Sequence, residues 1–366
     1  MNKKLIIFMP SIEGGGLEKN LFIISNFLAK KIDKISLITV SKNERSRFNK
    51  KIDFITPKLL FWSKLNKEIK YIFCLYLLFL EILKNRNILV FCFQANLYCI
   101  LLCRFFNIKI IVRSNSSPSG WSNNYLKSYI FKKLLGLANT TVVNSYAFKN
   151  ELFRKFKIKP TCIYNPLNAR EINRKSKEKI TGTSFSNKKK LKIINVGRFT
   201  DQKDHLTLLK ALNNLKKRIN FELLIIGRGI NKSDMNNYII ENKLQKFVKI
   251  IDYKKNPYPY MKASNLFILT SKYEGLPNVL LESLVLNKFV ISSNCPTGPS
   301  EILDNGKGGL LFKVGNHEDL ENKIKYFLSN KKKCIKKLKF AKKRLYRFDY
   351  NFNLNKYYKT IINYLN

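Results

Sequence analysis

Short runs of aliphatic and β-branched residues alternate with longer amphipathic segments along this chain. In the first half the short runs predict strands at 5–9, 35–40, 88–93, 108–112 and 140–144. The intervals carry helical patterns near 17–30, 66–84, 95–105, 123–136 and 146–156. Strands that alternate with helices indicate a parallel sheet with both faces covered.

The alternation stops in the segment 166–190, which is polar, charged and rich in Ser and Thr and is predicted to be a linker. Beyond it, further strands are predicted at 191–197, 221–227, 247–251, 265–270, 288–292 and 308–312. Helical patterns lie near 204–217, 232–243, 257–262 and 278–287, and a helical C-terminal part follows. We therefore predict an α/β protein with two Rossmann-like parallel-sheet domains that face a cleft, and a ligand at the carboxyl ends of the strands.

The most informative feature of the composition is its charge. The 366 residues include 69 Lys and Arg against 24 Asp and Glu, a net charge of +45. Such a charge suits nucleic acid or an anionic membrane surface, or reflects a bias of the coding sequence toward Lys, Asn and Ile. Because the basic residues are spread along the chain, we expect no nucleic-acid partner. The seven cysteines form no C-x-x-C motif, which indicates free thiols in a reducing compartment.

A glycine loop follows the first predicted strand. Gly14, Gly15 and Gly16 come just before an amphipathic helix, where glycine lets a ligand approach the backbone and the helix amides. The spacing is not G-x-G-x-x-G, so a dinucleotide site is not supported. We predict that Gly15 and Gly16 contact an anionic ligand; the alternative is a simple flexible turn.

Two cations follow the first strand of the second half. Arg198 and Lys203 lie in the stretch "NVGRFTDQKDH", between the strand end and a helix start. An arginine fork and a lysine point charge are suited to a diphosphate. The alternative is that both are solvated surface charges.

Two acids stand around another predicted helix start, in "YEGLPNVLLESL". Glu274 precedes Pro277, and Glu282 lies inside the helix. The helix start offers an anion its backbone amides, at Gly275, Leu276, Asn278 and Val279. Since carboxylates repel phosphate but accept hydrogen bonds from vicinal hydroxyls, the pattern suits a nucleoside diphosphate sugar. The alternative is that Glu274 caps the helix and that Glu282 is exposed.

These motifs resemble glycosyltransferase family 4, whose members are retaining enzymes of the GT-B fold. The resemblance is carried by "GRFTDQKDH", "SKYEGLPNVLLESLVLNKFVISSNCPTGPSEIL" and "GGLLF", and it covers roughly 190–312. It implies that Glu282 binds the ribose hydroxyls, that Glu274 contacts the donor sugar, and that Arg198 and Lys203 bind the diphosphate. Arg198, Lys203 and Glu274 are thus the candidate catalytic residues.

The chain departs from the family pattern in its first half. Many members carry a histidine there that contacts the donor sugar, whereas this chain has only His205 and His317. In the corresponding loop, 112–120, Arg113, Ser114 and Asn115 are the candidates for this role. Asn115 is the candidate donor contact, because its amide can accept or donate a hydrogen bond without titrating. Tyr253 is the candidate neighbour of the nucleotide base, which the resemblance suggests is uracil.

The sequence pattern and the resemblance together set the predicted domains and partners, and the basic, apolar helical stretches of the first half predict the membrane surface. We predict an N-terminal acceptor-side domain over 1–165 joined by the C-terminal helix 347–366, the linker 166–190, and a nucleotide-sugar domain over 191–346. The expected partners are a nucleotide-sugar donor, a lipid-linked or oligosaccharide acceptor and an anionic membrane surface. The expected location is peripheral, on the cytoplasmic face of the bacterial inner membrane. No D-x-D motif occurs, so no metal and no cofactor is expected. The alternatives are a non-catalytic nucleotide-sugar-binding relative and a basic nucleic-acid-binding protein.

Overall fold

A computed structural model of the chain describes residues 3–57, 65–115, 125–186 and 189–365, with the backbone only at 125–127. The chain divides into two compact units, 1–166 with 350–366, and 167–349. Most of the predicted loop at 112–120 and the start of the helix predicted at 123 lie outside the described residues.

The first unit is built on a seven-stranded parallel sheet with the order β3-β2-β1-β4-β5-β6-β7. Its strands are β1 Lys4–Phe8, β2 Ile35–Ile38, β3 Asp53–Ile55, β4 Ile88–Cys92, β5 Lys109–Ser114, β6 Thr140–Val143 and β7 Thr161–Cys162. Its helices are α1 Gly16–Leu28, α2 Lys67–Lys84, α3 Asn96–Phe105, α4 Tyr125–Gly136, α5 Tyr146–Phe156 and, from the end of the chain, α14 Tyr350–Leu365.

Both faces of this sheet are buried, which explains its continuous apolar strands. Along β1, Leu5 and Ile7 belong to one core cluster, and Ile6 and Phe8 belong to another. Successive side chains of a strand point to opposite faces, so each face has its own layer of helices.

The second unit has a six-stranded parallel sheet with the order β10-β9-β8-β11-β12-β13. Its strands are β8 Leu191–Val196, β9 Phe221–Gly227, β10 Val248–Asp252, β11 Leu266–Leu269, β12 Phe289–Ser293 and β13 Leu310–Phe312. Its helices are α6 Ala169–Lys175, α7 His205–Leu215, α8 Lys232–Glu241, α9 Tyr258–Ala263, α10 Asn278–Val285, α11 Pro299–Ile302, α12 His317–Ser329 and α13 Lys331–Lys343.

The unit boundaries differ from the predicted ones in two places. The segment 166–190, predicted to be a linker, contains α6, and 167–190 lies in the second unit. Residues 347–349, predicted to join the C-terminal helix, also stay with the second unit. There the carbonyl of buried Phe348 accepts a hydrogen bond from the Leu167 amide at 2.9 Å. This bond ties the two ends of the unit together, and α14 begins only at Tyr350.

Candidate active site

The candidate site of the second unit lies where the strand order of its sheet reverses. The neighbouring strands β8 and β11 continue to β9 on one side and to β12 on the other. Loops that leave such a pair at the carboxyl ends diverge and open a crevice, the usual ligand position in a doubly wound sheet. The loop after β8 carries Arg198 and Lys203, and the loop after β11 carries Glu274.

Lys203 and Glu274 form an ion pair. Lys203 Nζ donates a hydrogen bond to Glu274 Oε1, and Ser271 Oγ donates to the same oxygen at 2.7 Å. Glu274 is only 7% exposed, and the Lys203 side chain is 15% exposed. Two donors therefore fix the direction of the carboxylate. The sequence had suggested two separate ligand-binding groups, and it gave no signal for Ser271.

Three further hydrogen bonds join the two loops. Gln202 Nε2 donates to the Tyr273 carbonyl at 2.9 Å, and the Lys272 amide donates to the Gln202 carbonyl at 2.8 Å. Thr270 Oγ1 donates to the Lys203 carbonyl at 2.8 Å. Because the backbones on both sides are fixed, the ion pair is held in place before any ligand arrives.

Glu282 lies on α10 and is 4% exposed, close to Tyr258 of α9. Tyr258 Oη donates a hydrogen bond to Glu282 Oε1 at 3.4 Å. The alternative interpretation of Glu282 as an exposed helix residue is therefore wrong. The capping interpretation of Glu274 is not supported either, because the N-cap position of α10 is Pro277 and the Glu274 carboxylate is bonded by Lys203 and Ser271.

The start of α10 is packed tightly from one side. Gly275 and Leu276 are buried, and Asn278 and Val279 are half-buried. Thr297 Oγ1 donates to the Glu274 carbonyl at 2.5 Å. The next residue, Gly298, has φ +76°, and a Cβ there would lie 2.4 Å from the Gly275 carbonyl oxygen. Only glycine satisfies both requirements, so Gly298 is part of the support of this loop.

Arg198 and Tyr253 are both exposed, and Tyr253 has a cationic neighbour that the sequence analysis missed. The Arg228 guanidinium lies 5.0 Å from the centre of the Tyr253 ring. Arg228 follows the end of β9, and Arg198 lies two residues beyond the end of the neighbouring β8; in both cases a glycine precedes the arginine. A Cβ on Gly227 would lie 1.8 Å from the Gly197 carbonyl oxygen, so the two strand ends approach closely. The Gly-Arg pair after both strands is the sequence signal that points to Arg228.

Two buried groups beside the ion pair are uncharged at neutral pH. Burial, with a smaller contribution from the Lys203 charge, lowers the pKa of His205 to about 4. Its Nε2 lies 3.1 Å from Asn195 Oδ1, so the ring is a structural element of α7. Burial, reinforced by the Glu274 charge, raises the pKa of the Cys295 thiol to about 12.

The remaining predicted residues lie in the first unit. Gly15 immediately precedes α1, and Gly16 is its first residue, at the carboxyl end of β1. Asn115 follows β5, and its Oδ1 accepts a hydrogen bond from Arg113 Nη1. The first sheet reverses its strand order between β1 and β4, so Gly15 and Gly16 lie at its switch point.

The arrangement in the second unit can hold a molecule that is anionic in one part and rich in hydroxyls in others. Lys203 and the start of α10 suit the anion, and Glu274 and Glu282 provide acceptors for hydroxyls. No cluster of three or more His, Cys, Asp or Glu among the described residues could hold a metal ion. Metal independence stays a prediction.

Residues 176–344 match the model of the family described as glycosyl transferases group 1, which places the match inside the second unit. The chain is similar to the N-acetylgalactosamine-N,N'-diacetylbacillosaminyl-diphospho-undecaprenol 4-alpha-N-acetylgalactosaminyltransferase of Campylobacter jejuni. The two are 28% identical over 360 residues, 95% of this chain and 96% of that protein. It is 31% identical to the capsular polysaccharide biosynthesis glycosyltransferase CapH of Staphylococcus aureus over 220 residues, 58% of this chain and 57% of CapH.

The fold is similar to that of a solved structure, Anabaena HepE in complex with UDP-glucose. The TM-score is 0.78 at 15% identity, over 99% of this chain and all of HepE. The predicted fold class, two parallel-sheet α/β domains of the GT-B type, is confirmed. With the family match and the relatives, this identifies the chain as a glycosyltransferase.

Proposed function

We propose that this glycosyltransferase moves a hexose or N-acetylhexosamine from a UDP-sugar to a lipid-linked glycan in bacterial surface polysaccharide synthesis. We further propose that it is a retaining enzyme of glycosyltransferase family 4. The observation that carries this proposal is the buried Lys203–Glu274 pair at the switch point of the second sheet, with Glu282 buried on the helix that follows.

The comparisons support the choice of substrates. HepE was solved with UDP-glucose, which supports a UDP-linked donor. The name of the Campylobacter relative gives its acceptor a diphospho-undecaprenol carrier, which supports a lipid-linked acceptor here. The name of CapH places that relative in capsule synthesis.

The residues suggest how the donor is held and cleaved. As the bond between sugar and phosphate breaks, negative charge grows on the departing diphosphate. Lys203, Arg198 and the dipole of α10 stabilise that charge, so that fixed groups do the work of a metal ion. Glu282 accepts hydrogen bonds from the ribose hydroxyls, and Glu274 accepts one from the donor sugar.

The proton balance requires no histidine. The acceptor hydroxyl attacks the sugar carbon, and the departing phosphate oxygen takes the hydroxyl proton, from the same face of the sugar. His205, with its pKa near 4 and its ring bonded to Asn195, is a structural group and not the base.

Replacement of Lys203 tests its proposed role in stabilising the charge of the departing diphosphate. Replacing Lys203 by Ala should lower kcat by about 10²- to 10³-fold, because a preorganised charge is lost from the transition state. Lys272→Ala is the matched control, since Lys272 is an exposed lysine on the joined loop. Equal kcat values for Lys203→Ala and the parent protein would remove Lys203 from catalysis. Activity lost on treatment with a chelator and restored by a divalent metal would contradict the metal-free mechanism.

A donor panel tests the substrate class. UDP-sugars should raise the unfolding temperature of the protein, whereas the corresponding GDP-sugars should raise it less. Protection by UDP-sugars without transfer to any lipid-linked acceptor would instead indicate a non-catalytic relative.

We also propose that the first unit docks on an anionic membrane. None of the helices that the structure describes is long and apolar enough to cross a bilayer. The adjacent helices α2, α3 and α4 nevertheless expose large apolar side chains, here called the apolar surface: Ile69, Ile72, Tyr76, Leu83, Tyr98, Leu101, Phe105, Tyr129 and Ile130. Apolar side chains among many lysines are typical of proteins that lie on a bilayer surface.

A further inference from the structure

The first unit contains a cavity of about 510 Å³ at the carboxyl ends of β4 and β5. Its size is within the roughly 300–1,000 Å³ of small-molecule sites. Leu97 and Leu101 of α3 and Leu134 of α4 line it with apolar atoms, and Arg113 and Asn115 bring polar groups. The cavity is therefore apolar along most of its wall and polar in one part.

Arg113 is an unusual residue to find in that wall, because it is fully buried. Its Nε donates to Tyr357 Oη at 2.9 Å, its Nη2 donates to Asn165 Oδ1 at 2.7 Å, and its Nη1 donates to Asn115. All three partners are neutral, and among the described residues no carboxylate pairs with this guanidinium. A buried cation without an acid is costly, and an anion in the cavity would compensate it.

One polar atom of the cavity wall lacks a hydrogen-bond partner. Asn96 Oδ1 is buried and accepts no hydrogen bond from any described residue, while Asn96 Nδ2 donates to the Arg113 carbonyl at 3.1 Å. Asn96 lines the same cavity. An unpaired acceptor beside an uncompensated cation indicates a ligand with both a hydroxyl and a negative charge.

The cavity also opens onto the apolar surface. Tyr98, Leu101 and Ile130 line it, and they are 61%, 47% and 43% exposed. The same cavity therefore reaches from the exposed faces of α3 and α4 to the buried Arg113. A lipid that lies against the apolar surface is thus in contact with residues of the cavity wall.

We propose that this cavity binds the lipid end of the acceptor, namely the isoprenyl units nearest to the diphosphate, with the diphosphate beside Arg113. The proposal rests on the proposed function, since it names where the lipid-linked substrate is held. Charge complementarity selects this occupant over an uncharged lipid, and the apolar wall selects it over a free phosphate or a nucleotide.

Binding of geranylgeranyl diphosphate and of geranylgeraniol, measured by displacement of a fluorescent prenyl probe, tests the proposal. Leu101→Trp fills the cavity and should weaken binding of both compounds by about tenfold or more. The matched control is Leu83→Trp, which adds the same ring to the apolar surface outside the cavity. Equal affinities of Leu101→Trp and the control would overturn the proposal.

The Arg113→Gln variant tests the contribution of the diphosphate head group to binding separately from that of the isoprenyl chain. It should weaken binding of the diphosphate by about 10- to 100-fold and leave the alcohol nearly unchanged, because only the diphosphate uses the cation. A purely structural Arg113 would lower both affinities together, and that result would contradict the proposal. If Arg113→Gln fails to fold, the comparison of Leu101→Trp with Leu83→Trp still tests the proposal.

Steady-state kinetics keep this inference distinct from the proposed function. If the inference is correct, Leu101→Trp raises KM for a prenyl-diphosphate-linked acceptor and leaves KM for the UDP-sugar unchanged. If the parent enzyme transfers sugar and Leu101→Trp has an unaltered acceptor KM, only the inference fails. If the parent enzyme neither binds UDP-sugars nor transfers sugar, the proposed function itself fails.

Discussion

Glu274 and Lys203 are charged side chains that folding has largely removed from water, at a site where each is the other's closest charged partner. Removing one member of a buried pair leaves the other uncompensated, which is costly to stability. A Lys203 variant must therefore be compared with the parent at a temperature where both are folded. The sequence identifies both residues, since each follows a strand end. It cannot show their pairing, because 71 positions separate them.

His205 makes stability depend on pH. Its pKa is lowered to about 4 in the folded chain, so the unfolded chain binds more protons below about pH 6.5. The contribution of neutral His205 to the free energy of unfolding is therefore fully present above about pH 6.5, and it is lost as the pH falls toward 4. Between pH 7 and pH 5 we expect a loss on the order of 2 kcal/mol from this group.

Urea unfolding at both pH values measures this effect. The His205→Gln variant should show a smaller loss of stability between pH 7 and pH 5 than the parent protein. An equal slope in the two proteins would show that His205 does not contribute.

At the scale of elements, α14 completes the core of the first unit from the far end of the chain. Leu354, Tyr357 and Ile361 of this helix are buried in the same cluster as Leu5 and Ile7 of β1. Burial raises the pKa of Tyr357, whose hydroxyl accepts a hydrogen bond from Arg113. This helix is thus joined to the sheet by apolar packing and by the buried hydrogen bond from Arg113.

Tyr357→Phe should lower the free energy of unfolding by about 1–3 kcal/mol, because the buried Arg113 Nε–H loses its acceptor. Tyr364→Phe is the matched control on the same helix, since the Tyr364 hydroxyl donates to the Asn139 carbonyl in an exposed contact. Thermal unfolding of both variants gives the comparison. A Tyr357→Phe protein as stable as Tyr364→Phe would mean that water readily replaces the lost hydroxyl.

Hydrophobic periodicity was sufficient to predict most of these elements. The predicted helices near 66–84, 95–105 and 146–156 are found within a residue or two as α2, α3 and α5. The strands β3 and β7 were missed because they span three and two residues, too few for a pattern to show. Helix α6 was missed because its one buried hydrophobic residue, Ile172, gives no apolar period.

Other parts of the candidate site depend on tertiary contacts that no local pattern reveals. Gly298 is needed because of its positive φ and because the Gly275 carbonyl approaches it. Arg113 is a candidate from the sequence, but its neutral surroundings are formed by residues as distant in the chain as Asn165 and Tyr357. The predicted glutamates, by contrast, were visible because two acids around one helix start are rare in so basic a chain.

At the scale of the whole molecule, a net charge of +45 is combined with the apolar surface on three adjacent helices. Charge alone attracts the protein to any polyanion, whereas exposed apolar side chains retain it only where they can enter a nonpolar phase. Together they favour an anionic bilayer over nucleic acid.

Sedimentation with liposomes tests this. The protein should bind anionic vesicles at low salt and bind less at about 1 M salt, where the Debye length is only about 3 Å. Ile72→Ser combined with Phe105→Ser should reduce binding, whereas Ile230→Ser, an equally exposed site of the second unit, should not. No binding at low salt, or equal loss in the control, would contradict membrane docking by the apolar surface.

The return of α14 to the first unit sets an order of events during biosynthesis. Residues 167–349 form a unit from one continuous stretch, whereas the first unit needs 350–366 as well. Nascent domains usually fold in the order in which they emerge from the ribosome. Here the first unit is completed only after the second has emerged, because Leu5 and Ile7 lack part of their apolar cover until α14 has been synthesised. A chaperone that shields this sheet until α14 has been synthesised would therefore raise the yield of active enzyme.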